Sequence, residues 1–168
     1  PPAGERVLDR ERRVLPRRHD HQRRDAEERQ ELVHLRSVTT RLRGAASAVF
    51  QADEVAFEPR SETDLRSIAS LSEALAESRA NVWRYPPGAQ GKRHRDLGQE
   101  EVFVVISGTL TVDLGDPPER HEVPRGGLVV VERGTILQLR NAGEEELVLF
   151  IYGAPPETGK AEFFDPVP

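Results

Sequence analysis

Cysteine and methionine are absent from the 168 residues, and lysine occurs only at Lys92 and Lys160. Without cysteine there is no disulfide framework, no thiolate nucleophile and no thiolate-held zinc or iron–sulfur centre, so any metal must rest on nitrogen and oxygen donors. No apolar stretch approaches the roughly 20 residues that cross a bilayer as a helix, and the first residues lack a basic, then apolar, then small-residue pattern. A soluble, cytoplasmic protein without a membrane partner is therefore the expectation. Aromatic residues make up 5% and apolar residues 36%, enough for one modest core. Nucleophile elbows and phosphate loops are missing too: no Gly-x-Ser-x-Gly occurs, and the run from Gly153 to Lys160 holds two prolines where a phosphate cradle needs backbone amides.

Charge is plentiful but unevenly placed. The 24 basic and 29 acidic residues give a net charge of -5. Residues 1–44 nevertheless carry 12 arginines against 8 acidic side chains. Pro1, Pro2 and Pro16 stand among charges with little apolar periodicity, which predicts disorder over residues 1–20. From His21 to Arg43, Leu32, Leu35, Val38 and Leu42 recur at helical spacing and Gly44 follows as a stop, so a surface helix is predicted. Asp25, Glu27, Glu28 and Glu31 interrupt its positive face and no recognition helix follows, so nucleic acid is not an expected partner. The division is an Arg-rich arm over 1–44, partly helical or disordered, and a folded domain over 45–168.

Within the domain a strand is expected at Val55–Phe57, and Ser70 with Glu73 forms a capping-box pattern that predicts one short helix through Ala76. Seven short strands are then predicted: Val82–Tyr85, Val102–Ile106, Thr109–Leu114, His121–Val123, Leu128–Val131, Ile136–Arg140 and Leu147–Tyr152. Turn formers punctuate them at regular intervals, the signature of an antiparallel sandwich or barrel. The unbroken apolar runs at Val102–Ile106 and Leu128–Val131 suggest that both faces of those strands are covered. Gly88, Gly108 and Gly134 fall at strand junctions where a positive φ is expected.

From Gly88, five residues lead to His94, one more to Asp96, four to Glu101 and six to Gly108. This resembles the first motif of the cupin family, Gly-x5-His-x-His-x3,4-Glu-x6-Gly, with Asp96 in place of the second histidine. Gly126, Gly134 and Asn141 fall in register with the second motif, where Glu132 replaces the proline and Leu137 the histidine. The resemblance covers about residues 81–153 and implies an all-β jelly-roll barrel, also described as a double-stranded β-helix.

The resemblance also implies a metal site at His94, Asp96 and Glu101, with Leu137 closing the ring without a donor. One imidazole and two carboxylates match a divalent ion, so manganese, iron or zinc is the cofactor considered. A second arrangement fits the same residues: Asp96 and Glu101 solvated at the barrel mouth or paired with Arg93, Arg95 or Arg140, and Leu137 filling the pocket. Gln138 sits on the opposite face from Leu137, and His121 belongs to a charged hairpin. Tyr85, Phe103, Leu137 and Tyr152 are the expected ligand-binding wall. The leading functional expectation is a small-molecule ligand bound in the barrel. The alternatives are a metal-dependent oxygenase or isomerase and a regulatory sensor with a basic arm. A homodimer paired through a sheet edge is implied by the resemblance.

Overall fold

A computed structural model describes residues 40–41, 47–51, 55–156, 159 and 161–168. Its strands are β1 (Thr40–Arg41), β2 (Ala48–Val49), β3 (Glu58–Pro59), β4 (Ser67–Ser70), β5 (Arg79–Tyr85), β6 (Arg93–Asp96) and β7 (Glu100–Ser107). They continue as β8 (Thr109–Leu114), β9 (Glu119–Pro124), β10 (Leu128–Val131), β11 (Leu137–Arg140), β12 (Leu147–Ala154) and β13 (Ala161–Phe164). Apart from the β1–β2 pair they form two sheets, ordered β10-β7-β12-β5-β4-β3 and β13-β6-β11-β8-β9, with every pairing antiparallel.

Period-two alternation decides which residues meet between the sheets. On β7 Glu101, Phe103 and Val105 are buried, and on β12 Leu147, Leu149 and Ile151. The register sets Phe103 between Val129 of β10 and Ile151 of β12. From the second sheet Leu110, Val112, Leu137 and Leu139 complete the core. Gly108 joins β7 to β8 at φ 74°, and a Cβ there would stand 2.8 Å from the carbonyl oxygen of Glu146, so the corner admits only glycine. Gly88 and Gly134 also take positive φ, as expected.

All seven predicted barrel strands are present, with ends shifted by up to three residues at most. Other expectations need correction. Val55–Phe57 is not a strand; the nearest pairing is β3, at Glu58–Pro59. The capping-box pattern yields only a three-residue 3-10 turn, Ser72–Ala74, whose N-cap is Leu71 and carries no side-chain cap. Ser70 is the last residue of β4, and its Oγ accepts the Ser72 N–H at 3.4 Å rather than capping a longer helix. The helix predicted over His21–Arg43 ends as strand β1 at Thr40–Arg41, and the rest of it and of the arm lies outside the described residues. Leu128, Val130 and Ile106 are 63%, 72% and 46% exposed, so the outer face of β10 and the end of β7 are uncovered despite their apolar sequence, while Val102 and Val104 of β7 are half-buried.

Candidate functional site

Strand β5 builds one wall of a cavity. Its residues Arg79, Asn81, Trp83 and Tyr85 are two apart and share a face. Glu101 and Phe103 of β7 and Ile151 of β12 extend this wall, while Leu139 of β11, His94 of β6 and Phe163 of β13 stand on the other. The space encloses about 860 Å³, within the range of small-molecule sites. Its floor is buried (Tyr85, Phe103, Leu139 and Ile151), whereas Arg60, Ser61, Leu75 and Lys92 at its rim are exposed.

Two arginines are fixed in this wall. Arg66 donates from Nε and Nη2 to the two oxygens of Asp64, at 2.8 and 2.6 Å, and from Nη1 to the Tyr85 hydroxyl at 3.3 Å. Its guanidinium lies 5.1 Å from the Trp83 ring centre and 5.4 Å from that of Tyr85. The Arg66 hydrogen bonds hold the Asp64 carboxyl below the usual aspartate range. Burial alone would lower the Arg66 guanidinium, but Asp64 and Tyr85 raise it, and burial pushes the Tyr85 hydroxyl up. Gly91 leaves room for this arrangement, since a Cβ there would lie 3.0 Å from Arg66 Nη1.

Arg79 is held from three sides. Nε donates to Gln99 Oε1 at 2.7 Å, Nη2 to Glu101 Oε1, and Nη1 to Asn81 Oδ1 at 3.1 Å in the amide orientation that satisfies both ends of Asn81. Glu101 is 4% exposed, so its charge is compensated inside the wall by this guanidinium.

The expected metal ligands therefore have different occupations. His94 and Glu101 line the same cavity, but Asp96 does not. Asp96 Oδ1 accepts the backbone N–H groups of Gly98 and Gln99, at 2.7 and 2.9 Å, and builds the turn from β6 to β7. Leu137, opposite His94 in the ladder, is 1% exposed and belongs to the core rather than to the cavity lining. Among the described residues no three His, Asp or Glu side chains stand together as a cation site. With Glu101 bound to an arginine, Asp96 capping a turn and leucine as the fourth residue, the donor set does not fit a divalent ion.

Of the expected ligand wall, Tyr85 and Phe103 line the cavity. Tyr152 faces outward, 38% exposed, because strand alternation gives the inner face of β12 to Ile151. Gln138 lies on the other face of β11, where its Nε2 donates to the Gly91 carbonyl and its Oε1 accepts from Val167 N. His121 is exposed beside Glu119. Sequence reasoning missed Arg66, Asp64, Arg79 and Asn81. The alternation Arg-x-Asn-x-Trp-x-Tyr from Arg79 to Tyr85 is the one signal that could have pointed to a shared polar face.

Residues 81–152 match the family model described as the cupin domain. A conserved, uncharacterised protein with a double-stranded β-helix domain from Klebsiella pneumoniae is 21% identical with a TM-score of 0.60, over 71% of this chain and 99% of that one. A sugar phosphate isomerase from a cupin superfamily, from Silicibacter pomeroyi, is 21% identical with a TM-score of 0.61, over 70% and 82%. An oxalate oxidase in complex with the substrate analogue glycolate is 19% identical with a TM-score of 0.56, over 68% and 62%. At such identities the likeness establishes the fold. No curated protein matches the chain significantly.

Proposed function

From the match of residues 81–152 to the cupin domain and the fold shared with double-stranded β-helix proteins, we propose that the domain is of the cupin type and binds a small molecule in the cavity between the two sheets. The observation that carries this reading is the cavity itself, with a buried apolar floor, a collar of fixed polar groups and an exposed rim. Arg66 and Arg79 are already locked by Asp64 and Glu101, so a ligand would meet oriented donors without the entropy cost of ordering them. A metal-dependent oxygenase or isomerase is not favoured, because the side chains such chemistry would need are committed elsewhere.

Trp83 is the only tryptophan in the chain and lines the cavity, so its fluorescence reports occupancy directly. Titration with a library of small polar aromatics and aliphatics is expected to shift or quench this emission saturably. Ala161→Phe, which places a ring in the cavity from edge strand β13, is expected to weaken the response at least tenfold. Saturable signals of equal affinity in both proteins would place binding elsewhere.

A further inference from the structure

Charge in the cavity wall is opposite in sign to that of the whole chain. Among the described residues that line it, Arg60, Arg66, Arg79 and Lys92 stand against Asp64 and Glu101, a surplus of two positive charges in a protein of net charge -5. The surplus has a definite address. Arg66 and Arg79 are neutralised by Asp64 and Glu101. Arg60 and Lys92, both exposed at the rim, make no ion pair among the described residues, and Lys92 Nζ lies 5.3 Å from the Phe163 ring centre. Behind them the floor is apolar and aromatic, formed by Trp83, Tyr85, Phe103, Leu139 and Ile151.

Resting on the reading that the cavity takes a small molecule, we infer that its ligand is a small organic anion with an apolar body, held by side-chain cations without a metal ion. The anionic group, a carboxylate or a phosphate ester, would lie at the Arg60 and Lys92 rim, and the hydrocarbon part on the floor. Rim cations fit this role because neither forms an ion pair with a described residue, and a bound ligand's own body would screen them from water and strengthen their attraction for its anionic group. The missing metal donors fit as well. Glu101, the buried carboxylate among the described lining residues, already has a counter-ion in Arg79, so a second anion arrives where the described charges are net positive.

The test uses the full chain in chelator at low salt, with calorimetric titration of a series from acetate to naphthoate, the matching amides, and phenyl phosphate. At least one carboxylate or phenyl phosphate is expected to bind roughly tenfold or more tightly than its neutral counterpart. Lys92→Ala and Arg60→Ala, at exposed positions that leave the core intact, are each expected to weaken that binding several-fold, as is 0.5 M salt. Tighter binding of phenyl phosphate than of any carboxylate would assign the anion as a phosphate ester, and the reverse would assign a carboxylate. Amides that bind as well as acids, or binding that arises only after addition of Mn(II), Fe(II) or Zn(II), would overturn the inference while leaving the cavity reading intact. Failure of every compound, charged or neutral, to bind or to perturb Trp83 would overturn both.

Discussion

A buried charge is stable only with its partner, and both arginine–carboxylate pairs of the cavity make this testable. Arg79→Met removes the guanidinium that pairs with the Glu101 carboxylate at 4% exposure and should destabilise the fold by about 3 kcal/mol in urea denaturation. Glu101→Gln keeps a hydrogen-bond acceptor for Arg79 and should cost less. An unchanged midpoint in Arg79→Met would mean that water already screens the pair. For Asp64 the sign follows from its lowered folded pKa. Its contribution is complete above the unfolded aspartate value near about 3.9 and disappears as pH falls through the lower, folded value. The stability difference between wild type and Asp64→Asn should therefore hold from pH 7 to about pH 5 and shrink only in the acid limb. A difference that faded already near neutral pH would contradict the assignment. Neither pair was legible in the sequence. Glu101 could be placed facing inward from its spacing to His94, but its partner is 22 residues away and reaches it only through the adjacency of β5, β12 and β7. Asp96 shows the opposite failure, since its motif position suggested a ligand while its local chemistry, a carboxylate two and three residues before free N–H groups, made it a turn cap.

Strands with apolar alternation were readable, and strands made by their neighbours were not. β8 and β10 match their predicted ends because Thr109–Leu114 and Leu128–Val131 are rich in β-branched residues, β10 buried on alternate residues and β8 buried through Leu110–Asp113. β6 reads Arg-His-Arg-Asp and has no such pattern. It is a strand because it lies between β11 and β13, with Arg95 paired to Glu162 across the ladder. β4 and β13 were missed for the same reason. Corners obey local rules more strictly: Gly108→Ala combines a positive φ with a Cβ 2.8 Å from the Glu146 carbonyl, and should cost about 2 kcal/mol by thermal or urea unfolding. A loss below about 0.5 kcal/mol would show that the β7–β8 corner can shift to accept a side chain.

At the scale of the molecule the uncovered face deserves a partner. Leu128 and Val130 project outward from β10, an edge strand of its sheet, and Ile106 extends the same apolar surface. A second copy meeting this face by a twofold axis would bury like against like and protect the free edge. Light scattering is expected to give twice the 18.8 kDa chain mass, and Val130→Lys with Leu128→Glu to give the single mass with the cavity's binding intact. A wild-type protein of single mass at high concentration would contradict this.

The double duty of Asp96 bears on how such a fold could gain or lose a metal. Restoring imidazoles at positions 96 and 137 would remove the carboxylate that ties down Gly98 and Gln99, while leaving Arg79 in competition for Glu101. At the motif positions, a guanidinium on Glu101, a turn cap at Asp96 and the core leucine Leu137 thus stand where the resemblance would put the donors of an ion.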